Sequence, residues 1–191
     1  MSETTLCREG DCVTDEPIAI VGMGMRLPGN VNTAAEFWDM LVSGKSGHGP
    51  VPRCRYNVDA FFDPSNGPMT GYFLQEDPSY FDAGAFSIPA KDARLMDPQQ
   101  RLLLEVVAEC LADAGETGWR GRQIGCYVGV FGEDWLELSL KGLDPRPDRH
   151  HALTTGGFAL SNRISYEFDF RGPRYGMTLA RRWLSLRKHA D

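Results

Sequence analysis

Five cysteines and four histidines are the side chains through which this chain could do nucleophilic or metal chemistry. The cysteines (Cys7, Cys12, Cys54, Cys110 and Cys126) are odd in number and scattered. They form no Cys-x-x-Cys pair and no histidine stands at metal-ligand spacing, so neither a disulfide framework nor a zinc site is supported. A thiol becomes a nucleophile only where a cation, a helix N-terminus or a general base lowers its pKa. Cys110 falls on the apolar stripe of a helix pattern and Cys126 in a buried-strand pattern, with no His or Asp near it in sequence. Both read as packing residues, and free thiols in a reducing compartment are expected. His48, in Gly47-His48-Gly49, reads as a solvated loop residue. Gly22, Gly24 and Gly29 follow an apolar run, but a dinucleotide fingerprint places glycine at position 27, where Leu27 stands. They read as a tight turn instead.

The elements that would position these residues follow from periodicity. At 191 residues, 42% hydrophobic and 24% charged, the chain suits one domain with a real core. Residues 1–16 read as a flexible lead-in. Pro17–Gly24 is a short β-branched run that predicts a strand buried on both faces. Thr33 and Glu36 form a capping-box pattern ahead of a helix that Gly44 stops, with Phe37, Trp38 and Leu41 as its core face. Residues 45–90 are rich in proline and read as long loops. Asp97-Pro98 opens the clearest helix, stopped by Gly115, with Leu103, Val106, Val107, Cys110, Leu111 and Ala114 as its buried stripe. Ile124–Gly132 predicts a second buried strand. Gly156–Pro173 predicts a helix leading into a Phe168-Asp169-Phe170 strand that Gly172-Pro173 closes. Apolar strands alternating with helices indicate an α/β protein.

Charge sets a boundary near the end. Residues 174–191 hold five Lys/Arg against Asp191, a net +4 within a total of −6, which leaves −10 for residues 1–173. An acidic body argues against nucleic acid or an anionic membrane as the main partner. The N-terminus has no apolar signal-peptide core, and no apolar run is long enough to cross a bilayer. A cytoplasmic protein is expected. Leu179, Trp183 and Leu186 at i, i+4, i+7 leave room for a short amphipathic helix in the basic tail.

Several blocks carry a resemblance. Pro17–Gly24 with Arg26-Leu27-Pro28-Gly29, Phe37-Trp38-Asp39-Met40-Leu41, Met96-Asp97-Pro98-Gln99-Gln100-Arg101-Leu102-Leu103-Leu104-Glu105, Gly125–Gly129, Leu160–Tyr166 and Phe168–Pro173 resemble the opening of a β-ketoacyl synthase domain. The likeness is greatest to the ketosynthase of a fungal-type iterative polyketide synthase. It implies a thiolase-like fold, here the N-terminal half of an αβαβα layered sandwich. It also implies an activity: decarboxylative Claisen condensation of malonyl units held on acyl carrier protein. In the family a nucleophilic cysteine follows the Gly-Pro by about eight residues, and two histidines stabilise the enolate and oxyanion. Counting on from Pro173 brings that position to Arg181, and no cysteine follows Cys126. His48, His150, His151 and His189 match neither histidine motif, whose place is the second half of the family's domain. Arginine cannot accept an acyl group at neutral pH.

The resemblance therefore divides the chain into 1–16, a partial ketosynthase at 17–173 and an aberrant basic tail at 174–191. Such a tail is what a shifted reading frame, a retained intron or an early stop would produce. No catalytic, cofactor-binding or metal-ligating residue is carried over, and no condensing activity is expected of the chain alone. Its expected partners are acyl carrier protein, an intact polyketide synthase or a second copy of itself. Two other roles follow from the same likeness: a non-enzymatic docking or regulatory module, and half of a ketosynthase completed in trans. Half of a layered sandwich leaves apolar faces bare, which predicts a marginal or aggregation-prone monomer. Thermal unfolding with light scattering checks this: broad melting with early aggregation is expected, and a sharp cooperative melt of a monomer would contradict it.

Overall fold

The computed structural model describes residues 17–61, 67–132, 134–142 and 151–178. The lead-in at 1–16 and the amphipathic pattern at 179–191 lie outside the described residues. Helix α1 (Ala34–Val42) starts where Thr33 and Glu36 predict it. Thr33 Oγ1 accepts from the Glu36 amide at 3.2 Å, and the Glu36 carboxylate accepts from the Asn32 and Thr33 amides at 2.9 and 3.0 Å. Those amides, Asn32 first, hold the Glu36 carboxyl below the ordinary carboxylate range. Gly44, at φ +62°, lets the chain leave the helix. The expected core face is not core, however. Trp38 is 66% exposed and Phe37 and Leu41 are exposed with it, because a helical period specifies a face without supplying what covers it.

Residues 45–90 are mostly loop, as their prolines predict. They also hold a short antiparallel pair, β1 (His48–Pro50) with β2 (Thr70–Tyr72), and a 3-10 turn at Val58–Phe61. Helix α2 (Ala90–Leu95) then runs into α3 (Pro98–Asp113). Asp97 caps α3 by accepting from the Gln99 amide at 2.8 Å, Pro98 occupies the first turn, and Gly115 at φ +67° follows the end. The predicted stripe of α3 is only half-buried. Its fully buried residues are Gln100, Arg101 and Leu104, one step round the helix.

Strand β3 (Cys126–Val130) falls inside the predicted 124–132 run, with inner Cys126 and Val130 buried and Tyr127 outward. After α4 (Asp134–Gly142) and α5 (His151–Thr155), α6 (Ala159–Glu167) leads to β4 (Arg174–Thr178). β3 and β4 pair in parallel, Cys126 opposite Arg174 and Val130 opposite Thr178. The composition break after Pro173 is therefore no break in the backbone: residues 174–178, grouped by charge with the tail, form a sheet strand. The core joins Met96 and Leu104 to Cys126, Ile164, Phe168 and Phe170.

Two strand expectations need correction. Phe168-Asp169-Phe170 is a turn with Asp169 at φ +50°, and the strand begins after Gly172-Pro173 instead of before it. Leu160, Ile164 and Phe168 are buried at helical spacing while Tyr166 is exposed, so the alternation of 166, 168 and 170 is incidental. Pro17–Gly24 forms no strand: among the described residues no strand pairs with it, and a ladder requires a partner. Ile18, predicted buried, is 97% exposed. The segment lies along α3 instead, held by the Met23 amide donating to Asp113 Oδ2 at 2.9 Å. A Cβ on Gly22 or Gly24 would stand 2.5 Å from the Cys110 or Val106 carbonyl oxygen, so these glycines serve close packing on a helix.

Asp97 joins capping to burial. Burial pushes its carboxyl above the ordinary range, against the Gln99 bonds that lower it. Asp97→Ala removes the cap and is expected to cost about 1 kcal/mol, whereas asparagine caps as well. A raised folded-state pKa favours the fold at low pH, and that contribution is lost as pH rises through it. Asp97→Asn should therefore be as stable as the parent in acid and gain on it toward neutral pH. Denaturant melts across that range check this, and an Asn variant that loses ground as pH rises would contradict it.

Candidate functional site

In open α/β sheets, ligands sit at the carboxyl ends of parallel strands. Here that end is marked by Val130, Thr178 and the Gly156-Gly157 entry to α6, where a Cβ on Gly157 would meet Val130 at 3.3 Å. The backbone that delivers β4 to this edge is tied down at each step. The Gly121 amide donates to Asp169 O at 2.8 Å, Arg171 N to Arg122 O at 2.9 Å, and Cys126 N to Pro173 O at 2.9 Å. Gly172 passes so close to Ile124 that a Cβ there would stand 2.5 Å from its carbonyl oxygen. Phe168 anchors the turn. It stacks on Phe170 at 5.7 Å and meets Phe86 and Trp119 edge-on at 6.2 and 6.4 Å.

The chemistry-bearing residues are not brought together. Cys126 lies on the inner face of β3, under α6, and burial pushes its thiol up, so it stays protonated and inert. Cys110 is half-buried on α3 and Cys54 is exposed in a loop. His48 stands exposed on β1, its ring edge-on to Tyr72 at 5.2 Å. Cys7, Cys12, His150, His189 and Arg181 lie outside the described residues, and His151 opens α5. Among the described residues no three His, Cys, Asp or Glu side chains are grouped to hold a metal. No helix among them is long and apolar enough to cross a membrane.

What the sequence reading passed over is a buried polar knot in the Asp97–Arg101 block. The Asp97 amide donates to Thr154 O at 2.8 Å, Gln100 Nε2 to Leu153 O at 3.0 Å, and an Arg101 guanidinium nitrogen to Ser79 O at 3.3 Å. Burial lowers the Arg101 pKa, with Asp97, Asp77 and Glu105 opposing it. The block is thus a clamp that fixes α5 and the 79 loop to α3, and it does no chemistry itself. Spacing carried the signal: 97, 100, 101 and 104 share one helical face, but a search for apolar residues skips the first three. Two open grooves lie on the described surface. One, of about 390 Å³, runs between Arg26, Glu76, Tyr80 and Glu105. The other, of about 410 Å³, lies between α2, α5 and α6 beside Asp92, Thr154 and Arg163. Arg26 is held in the first by a bidentate pair with Glu109.

The chain belongs to the family described as Beta-ketoacyl synthase, N-terminal domain, whose profile matches residues 15–180. It is similar to highly reducing polyketide synthases of fungi. It is 48% identical over 168 residues to gloL of Glarea lozoyensis, covering 84% of this chain and 7% of that protein. It is 50% identical over 183 residues to lcsB of Purpureocillium lilacinum, covering 88% and 7%. The fold is that of solved ketosynthases. The ketosynthase from module 6 of the bacillaene synthase of Bacillus subtilis 168 superposes with a TM-score of 0.68 at 29% identity, over 84% of this chain and 26% of that one. The oxazolomycin ketosynthase domain OzmH KS7 of Streptomyces albus JA3453 gives 0.67 at 28%, over 84% and 29%. The chain spans about 7% of the length of these fungal relatives. The thiolase-like class expected from the sequence is thereby established, with only part of that fold present.

A thiol reagent tests the reading of the cysteines. Cys54 should react at once in the native protein, and Cys126 only under conditions that open the β3–α6 contact. Equal rates at the two, read by peptide mass spectrometry, would contradict a buried, protonated Cys126.

Proposed function

We propose that this chain supplies the N-terminal framework of a ketosynthase in polyketide, and so secondary-metabolite, biosynthesis in the cytoplasm, and does not condense acyl units by itself. The observation that carries this reading is the residue delivered beyond β4. The family's likeness asks for a cysteine about eight residues after Pro173, and this chain has Arg181 at that point of the sequence. A guanidinium stays charged at neutral pH and offers no lone pair to an acyl thioester. Among the described thiols, Cys126 is buried with its pKa pushed up, Cys110 is half-buried on α3 and Cys54 lies exposed in a loop, while His48 stands exposed on a different sheet from Cys126. Without a thioester on the protein, the enolate left when a malonyl group loses CO2 has no electrophile to attack.

Acyl carrier protein, bearing the malonyl unit, is the partner such a framework would meet within a synthase. The same reading makes the lost chemistry recoverable from a ketosynthase portion that carries the cysteine and histidines. Full-length chain incubated with an acyl thioester and malonyl-loaded carrier protein should form no β-ketoacyl product above the protein-free rate. Product formation that depends on this chain alone would overturn the proposal.

A further inference from the structure

The groove between α3 and the 74–82 loop has an apolar floor and an acidic rim. Leu27, Leu74, Pro78, Phe81 and Leu102 line it, and the Tyr80 ring beside them is 79% exposed. Glu76, Asp77, Asp82 and Glu105 stand round it, and their carboxylates accept only from neutral amides. Glu76 accepts from Asn32 Nδ2 at 3.2 Å and Asp77 from the Ser79 amide at 2.8 Å. Asp82 accepts from the Ala85 amide at 3.1 Å and Glu105 from that of Asp82 at 3.4 Å. The arginines nearby are engaged elsewhere. Arg26 is closed onto Glu109, Arg55 donates to the Leu74 and Glu76 carbonyls, and Arg101 donates to that of Ser79. Among the described residues no cation pairs with the four rim carboxylates. An apolar trough edged by like charges fits a cationic, amphipathic segment.

We propose that residues 179–188 of this same chain dock in that groove. Complementarity of two kinds chooses them. Arg181, Arg182, Arg187 and Lys188 stand there with no Asp or Glu among them, in a chain whose first 173 residues carry −10. Leu179, Trp183 and Leu186 recur between them at the spacing of one apolar helix stripe, so the segment offers apolar groups for the floor and cations for the rim. Reach allows the contact. The groove lies one helix layer beyond α6, which itself covers β4, and packed layers are about 10 Å apart. Lys188 is ten residues beyond Thr178, a span of up to roughly 33 Å of extended chain. The family match ends at residue 180, so the contact is a property of this chain and not of the family's framework. It does not depend on the function proposed above.

The test is zero-length cross-linking of the full-length chain. A carbodiimide joins a carboxylate to an amine only where the two touch, and Lys188 is the one lysine of the segment. Isotope-labelled and unlabelled chains are mixed in equal parts, treated, digested and read by mass spectrometry. Links from Lys188 to Glu76, Asp77, Asp82 or Glu105, within one isotope form, are expected to exceed all other Lys188 links. Arg181→Glu combined with Arg182→Glu, outside the described fold, should lower their yield about fivefold or more. Salt at about 1 M, where charges are screened within about 3 Å, should lower it as well. Lys188 links spread evenly over carboxylates elsewhere, or no Lys188 link at all, would overturn the inference. So would links formed chiefly between the two isotope forms, or a yield that the double charge reversal leaves unchanged.

Discussion

Burial of Phe168 at the end of α6 is the contact on which the remaining architecture depends. The ring closes the helix, joins Phe86, Trp119 and Phe170, and sits in one core with Leu104 of α3 and Cys126 of β3. Truncating such a ring costs about 3–5 kcal/mol, and a whole domain is held by about 5–15. Losing it would release the turn at Asp169, and with it the run of backbone bonds that sets Arg174 opposite Cys126. The strand that leads to the candidate site is therefore placed by a hydrophobic contact one turn earlier.

A second constraint acts through polar groups. Asp97, Gln100 and Arg101 are buried together; Asp97 and Gln100 bond to the α5 backbone at Thr154 and Leu153, and Arg101 to that of Ser79. The bonds these residues do make specify how α3, α5 and the loop before α2 meet. The two capping carboxylates show the difference that burial makes. Glu36 sits in water and its hydrogen bonds win, whereas Asp97 is enclosed and desolvation wins over the same kind of bond.

The local signals in the sequence were legible wherever they were self-contained. The Thr33–Glu36 box, the Asp97-Pro98 start, the glycine stops at 44 and 115 and the β3 run all stand where composition and spacing put them. What periodicity could not supply is the neighbour. Pro17–Gly24 has the residues of a buried strand and the face of α1 has those of a core, yet both lie open because nothing described covers them. Phe168–Phe170 has strand-like alternation, but the helix cap and a positive φ at Asp169 override it. The candidate site was legible chiefly as an approach. The residues that deliver β4 are of the family's type, and the buried polar clamp behind them was hidden because its members are not apolar.

The fold of the family's N-terminal framework is preserved, and the reading proposed above is that it does not condense acyl units by itself. A ketosynthase needs a surface-accessible thiolate at the end of its approach strand, and the thiols described here are buried, packed against a helix, or stranded in a loop. The most direct measurement is intact-protein mass spectrometry of the full chain after incubation with an acyl thioester substrate at neutral pH. The account predicts no stoichiometric acyl adduct. A single adduct, formed at one equivalent on one cysteine and removed by hydroxylamine, would contradict it.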